Sequence, residues 1–261
     1  MVDRVKEWLD QEDKIALKFG AMIASIVASD MRDAALKYLN TGRADLPEDH
    51  EQRIRAAFKL MIGESVRTMG DRMIDEFKFA LADLENKEVG DEFFERVIQA
   101  YIEAYGAAKI TRVSATTRSQ IQSIIAAGSE AGESVSEIAK RIQENIPRIS
   151  NLRGAVIART ETHSASQFAS NEVAKTADIP LAKKWNSIED TRVRDFNEPI
   201  ADFDHRQMDG KVVPMDQPFR VPRSPRIGGG TESLMFPGDP NGSAANIINC
   251  RCVQTYERAA S

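Results

Sequence analysis

Apolar residues recur at three- and four-residue spacing over most of the first 176 positions, a period that predicts long amphipathic helices. Residues 3–40 read as one helix, with Trp8, Ile15, Phe19, Ile23, Met31 and Leu39 on its inner face and Gly42 as its stop. A second helix is expected from Pro47, which suits a first turn, to about Asn86. It would be about 60 Å long at 1.5 Å per residue, and Gly63 and Gly70 could kink it. A third, from about Asp91 to Ala108, carries an aromatic stripe through Phe93, Phe94, Tyr101 and Tyr105. Such a stripe reads first as core and second as a partner-binding face.

From residue 110 the texture changes. Thr116 to Gln120 would open a short helix that Gly128 and Gly132 end. Ser134-Val135-Ser136-Glu137 fits a capping box, followed by Ile138, Ile142 and Ile146 four apart. Pro147 is expected to stop that helix, and Ser150 or Asn151 to cap the next, which runs to about Thr176. Eight of the ten prolines lie at or beyond residue 180, where helical periodicity fades. Short strands are expected at 183–188, 211–213, 233–236 and 252–256. The fold class is therefore α+β and predominantly helical: long N-terminal helices, then a small loop-rich C-terminal module with a few short strands. The division expected is a helical arm or bundle over 1–109 and a second domain over 110–261, with helices in 116–177 and a β module in 183–256. No internal repeat or low-complexity tract interrupts it.

Composition narrows the class. Charged residues make up 29% of the 261 and hydrophobic ones 42%, which suits solvated helices. The longest near-apolar run, Ala21 to Ala28, is too short to cross a bilayer, and the first residues lack a signal-peptide pattern, so a reducing cytoplasm is the expected site of synthesis. Charge is uneven: residues 1–108 carry 15 Lys and Arg against 22 Asp and Glu, whereas residues 109–184 carry 11 against 7. The acidic first part argues against wholesale nucleic-acid wrapping, while the basic middle reads as a solvated face or a weak DNA contact.

The chemistry-bearing residues lie late in the chain. The two cysteines, Cys250 and Cys252, are two apart, so on an extended segment both thiols face one way and Arg251 the other. With His205 they make three candidate metal ligands, and Asp204, His163 or water could be a fourth; zinc is the candidate ion. Buried idle thiols and a redox or catalytic thiol are the other readings. His205, flanked by carboxylates, could also act as a general base. Arg159, Thr160, Glu161, Thr162 and His163 lie in a predicted helix, where Glu161 would pair with Arg192 or Arg194. Gly228-Gly229-Gly230 follows no phosphate-loop pattern, and Phe236-Pro237-Gly238-Asp239-Pro240 reads as turn chemistry.

Taken in order, several of these residues form a more specific pattern than any one alone. They are Arg159 and Glu161, Trp185, Asp190 with Arg192 and Arg194, His205 with Asp209 and Gly210, the Pro-Gly-Asp-Pro turn, and Asn249-Cys250-Arg251-Cys252. The pattern, over roughly residues 110–256, resembles the Mu F-like minor head proteins of tailed phages, the phage head morphogenesis family. The resemblance implies a non-enzymatic protein present in few copies inside the capsid, associated with the portal vertex and linked to head assembly or DNA delivery. It implies portal, coat or scaffold partners, no membrane, and a structural role for the motif residues. One departure stands out: residues 195–204 separate Arg194 from His205, about eight residues more than the family pattern has. A metal-dependent hydrolase or nuclease using His205 with Cys250, Cys252 and an Asp is the alternative, and a DNA-binding adaptor a further one; the chain could also self-associate as an oligomer. Residues 1–108 match no known pattern.

Overall fold

The structure, a computed structural model, describes residues 2–80, 90–188, 193–197 and 201–259, with side-chain surroundings described from residue 5 to residue 76 in the first of these spans. It is predominantly helical, with a small sheet region at the C-terminal end, as the periodicity predicts. Helix α1 spans Val2–Thr41, α2 His50–Ala80, α3 Asp91–Tyr101, α4 Ala107–Glu130 and α5 Val135–Ala174. Strands β1 Leu181–Asn186, β2 Val212–Pro214, β3 Phe219–Pro222 and β4 Thr231–Leu234 follow, then the short helix α6 Ala244–Ile247 and strand β5 Val253–Arg258.

The boundary signals act where side chain and backbone agree. Gly42 takes φ +71° and its N–H bonds Tyr38 O, which closes α1. Gly132, at φ +72°, closes α4 in the same way. The capping box forms: Glu137 accepts from Ser134 N at 2.7 Å, and Ser134 Oγ accepts from Glu137 N at 3.3 Å. The Ser134 hydroxyl, which also donates to Glu137 Oε2 at 2.7 Å, and the Ser134 N–H hold the Glu137 carboxyl below its ordinary pKa. Pro47 stands three residues before α2, its carbonyl accepting from His50 N.

Two expected helix boundaries are absent. Pro147 does not stop a helix; it sits inside α5, and Ser150 and Asn151 are helical rather than caps. A mid-helix proline costs about 3 kcal/mol or more, but the stripe Ile138, Ile142, Ile146 and Ile149 is buried continuously across it. Burial of that stripe on both sides offsets the lost hydrogen bond. Likewise Thr116 and Thr117 do not open a helix. A π turn, Ile102–Gly106, joins α3 to α4, and the two threonines lie within α4. Their hydroxyls bond back to Arg112 O at 2.7 Å and Val113 O at 2.8 Å, so they are satisfied without a break. The expected extension of α2 to Asn86 falls outside the described residues beyond Ala80.

The contacts group into two compact units, each drawing on both sides of residue 109. The helical unit comprises Ile15–Met61 and Ile102–Ala158. In it α1 and α5 approach closely enough that a Cβ on Gly154 would lie 2.4 Å from Gly20 O. Fully buried Asp30 on α1 pairs with His50 and Arg53 of α2. Arg153 of α5 donates to Val113 O, Thr117 Oγ1 and Gln120 Oε1 of α4.

The mixed unit comprises Met1–Lys14, Ile62–Tyr101 and Arg159–Ser261. The aromatic stripe of α3 is core here: Phe94 and Tyr101 are buried, and a Cβ on Gly70 would collide with the Phe94 ring. The second half of α5 is buried on nearly all sides despite its polar residues, which are small or hydrogen-bonded. Strand β1 lies between β2 and β5 in an antiparallel sheet, with Trp185 opposite Gln254. Strands β3 and β4 form a second antiparallel pair. Strand β3 was hidden in the sequence by Pro218 and Pro222 at its ends, positions a strand tolerates. Gln254 ties β5 to α5, its N–H and Nε2 bonding Gln167 Oε1 and Gln167 O at 3.0 and 2.8 Å.

Candidate functional site

Three chain segments in the mixed unit deliver one buried cluster. Cys250 and Cys252 enter on the extended segment leading into β5, and both side chains join the core of Trp185, Phe203, Met208, Phe219, Val221 and Leu234. Arg251 points elsewhere, toward Asp13 at 3.7 Å, as the alternation of an extended segment requires. His205 faces both thiols: its Nδ1 lies 3.6 Å from each Sγ. The three donor atoms lie within 4.8 Å of one another, and all three residues are at most 3% exposed. The Trp185 ring meets His205 and Phe219 edge-on, at centroid distances of 5.4 and 5.2 Å.

The loop before His205 is closed at its base. His205 N and Arg206 N both bond Arg194 O, at 3.0 and 3.2 Å, which pins the backbone of His205 beside Arg194. The extra length therefore does not displace His205 from Arg194. Asp204 is occupied within this loop, accepting from Gln207 N at 2.9 Å, Gln207 Nε2 at 2.7 Å and Phe196 N at 3.4 Å. It is not positioned as a metal ligand. Downstream, Asp209 accepts from Ser187 N at 2.8 Å. Gly210, at φ +74°, donates to Trp185 O at 2.9 Å, hooking the His205 turn onto β1.

A hydrogen-bond chain orients the His205 ring. Asn246 Nδ2 donates to Glu232 Oε2 at 2.6 Å, so Asn246 Oδ1 must face His205 Nε2, also at 2.6 Å. Nε2 then carries a proton, and Nδ1 faces the two sulfurs. His163, on α5, is arranged the same way from the other side. Its Nδ1 pairs with Glu12 Oε2 at 2.8 Å, and its ring lies beside Cys250. Its Nε2 is buried with no hydrogen-bond partner among the described residues. Burial alone would press the His163 pKa down, but the Glu12 carboxylate and the Cys250 sulfur raise it to about 10. Cys250 is held well below the ordinary thiol range by the hydrogen bond from Cys252 and by His205 and His163, against the effect of burial. Cys252, pushed up by burial and by its neighbour, keeps its proton.

The other motif residues brace this cluster. Asn249 adopts φ 57°, a left-handed conformation that Asn tolerates better than most residues, and so turns the chain from α6 toward Cys250. Its N–H bonds Thr160 Oγ1 at 3.2 Å, and its Oδ1 accepts from Arg159 at 3.4 Å. Arg194 donates to Ile248 O. Glu161 is buried nearby in sequence, while Asp190 and Arg192 lie outside the described residues, as does the Glu161–Arg192 pairing. The Pro-Gly-Asp-Pro segment is more than a turn. Gly238 O accepts from Ser164 Oγ at 2.7 Å, and a Cβ on Gly238 would sit 2.7 Å from the His163 ring. Asn246, Glu232 and Glu12 were not legible as site residues, because each is an isolated polar residue far along the chain from the group it holds.

These features define a helical protein carrying a small β module sealed around buried Cys and His side chains. The family model described as Phage Mu protein F like protein matches residues 119–255, from within α4 to β5. The chain belongs to that family. It is 33% identical over 135 residues to the minor head protein GP7 of Bacillus phage SPP1, covering 51% of this chain and 38% of that one. It is 28% identical over 137 residues to the uncharacterized protein YqbB of Bacillus subtilis strain 168, covering 52% of this chain and 41% of that one. The chain thus spans about two-fifths of the length of the curated relatives it matches. No solved structure gives a significant match. No helix among the described residues is long and apolar enough to cross a membrane.

Proposed function

We propose that this chain is a minor head component of a tailed phage or prophage, held inside the capsid at the portal vertex, where it aids head assembly or DNA delivery. Its partners are portal, coat or scaffold subunits. The observation that carries this reading is the family match over residues 119–255, which includes the whole Cys/His cluster and the helix behind it. The name of the SPP1 relative, a minor head protein, supports it. The role proposed is non-enzymatic. In support, His205 is 1% exposed and its Nε2 is capped by Asn246, which leaves no ring nitrogen facing solvent to act as a base. In the basic middle segment Lys109, Arg153 and Lys183 are buried or engaged internally, whereas Arg112, Arg118, Lys140, Arg148 and Lys175 are exposed.

The test is incorporation. The full chain, tagged and co-expressed with the portal and coat proteins of its own genome, is expected to purify with assembled heads at few copies per particle. Quantitative mass spectrometry of those heads reads the copy number. Heads of normal composition that never contain the chain would overturn the proposal, as would metal-dependent DNA cleavage by the pure protein that His205→Ala abolishes.

A further inference from the structure

We propose that His163, His205, Cys250 and Cys252 form a closed tetrahedral zinc site that locks the C-terminal module onto α5. The geometry gives three ligands directly: donor atoms of His205, Cys250 and Cys252 lie within 4.8 Å of one another. Donors bound to one tetrahedral zinc at about 2.3 Å for sulfur and about 2.05 Å for nitrogen lie about 3.6 Å apart. His205 Nδ1 stands 3.6 Å from both sulfurs. A single imidazole nitrogen cannot satisfy two thiols by hydrogen bonding, because it holds one lone pair. One cation between the three atoms satisfies all of them.

His163 is the side chain proposed for the fourth position, its ring closing in from its place beside Cys250 when the metal binds. Its Nε2 is buried and without a partner, and its ring lies beside Cys250. An unpaired buried nitrogen is costly unless something fills it. Its other nitrogen is held by Glu12, just as the far nitrogen of His205 is held by Asn246 and, behind that, Glu232. Both imidazoles therefore carry the outer hydrogen bond that fixes the tautomer and raises ligand basicity in zinc sites. Gly238, with no Cβ, lets the turn close against the His163 ring. Two sulfurs and two nitrogens in tetrahedral array select zinc among common divalent ions. Binding displaces the protons still held on the sulfurs and on His163 Nε2, and two thiolates neutralise the cation, which suits a site this buried. With four protein ligands no position stays open for substrate, so the metal is structural.

The site spans residues 163 to 252, so the metal would cross-link α5 to the loop-rich module. That module has a small apolar cluster of its own, the situation in which a metal contributes most.

The experiment uses the full chain purified without chelator. One zinc per chain is expected by elemental mass spectrometry, with two sulfur and two nitrogen neighbours by X-ray absorption. Cobalt substitution should give the intense visible bands of a tetrahedral thiolate site. Glu12→Gln leaves all four ligands in place and should weaken zinc affinity about 10- to 100-fold. His163→Ala should weaken it at least as much; if that variant does not fold, the wild-type coordination number and Glu12→Gln decide. Metal-free protein whose melting is indifferent to chelator and to added zinc would overturn the site. Two sulfurs with a single nitrogen, and unchanged affinity in Glu12→Gln, would overturn the role of His163. Both readouts use pure protein, so failure here is distinguishable from failure to enter heads.

Discussion

The close crossing of α1 and α5 makes opposite outcomes from the same substitution at two glycines. In Gly154→Ala the new Cβ would lie 2.4 Å from Gly20 O, 2.9 Å from Ala24 Cβ and 3.0 Å from Ala24 N. The first contact is about 1 Å inside ordinary van der Waals separation, and two of the three atoms are backbone. No side-chain rotation can relieve it, so the helices must part along the crossing. Overpacking of this kind costs about 1–3 kcal/mol, and rigid backbone neighbours place it at the upper end. Alanine returns about 1 kcal/mol of helix propensity. The net expectation is destabilisation by about 2 kcal/mol, or a melting temperature about 4–8 °C lower for a chain of this size. Gly63 of α2 is the control. Its Cβ would meet only Ile98 Cδ1, at 3.9 Å, so Gly63→Ala should gain most of the propensity and stabilise by about 0.5–1 kcal/mol. Circular-dichroism melting measures both. Hydrogen exchange in peptides covering residues 18–26 and 152–158 localises the loss, because the two glycines lie in different compact units. Equal stabilisation by both substitutions would refute the backbone contact.

Other outcomes follow from the same geometry. Asn249→Ala, forced to keep φ 57° and deprived of its acceptor for Arg159, should lose about 1–2 kcal/mol, while Asn249→Gly loses less than half of that; equal losses in urea titration would argue against strain at this turn. Ser134→Ala should cost about 1 kcal/mol and raise exchange rates in the first turn of α5, and an unchanged rate would remove the cap from consideration. Lys183, whose pKa burial lowers to about 8, is disfavoured in its charged form in the fold. The unfolded chain therefore binds more protons than the native one above pH 8, and stability from this group should rise between about pH 8 and 10.5. The gain, about 2 kcal/mol after discounting for screening, is read as the difference from Lys183→Met, since Tyr256 and Cys252, both pushed up by burial, pull the other way.

Much of this protein is written locally. The 3.6-residue periodicity of α1 to α5, the Gly42 and Gly132 stops and the Ser134–Glu137 cap depend on neighbours within one or two turns, so the chain alone reveals them. The Cys-x-Cys spacing likewise dictates that both thiols share a face. In order, the motif residues are enough to identify the Mu F-like family.

Whether a boundary signal takes effect is decided by packing. Pro147 is overridden because the isoleucine stripe is buried on both of its sides, and Thr116 and Thr117 because α4 satisfies their hydroxyls. Strand β3, a short Pro-flanked segment, exists through its pairing with β4. The site depends on tertiary structure most of all. His205 meets Cys250 and Cys252 because its backbone N–H is pinned to Arg194 O, and the turn at Gly238 closes against the His163 ring of α5. Glu12 reaches His163 across 151 positions of sequence. Local spacing can specify which atoms a segment offers, but only the folded chain brings together side chains so far apart and excludes the water that would otherwise satisfy them.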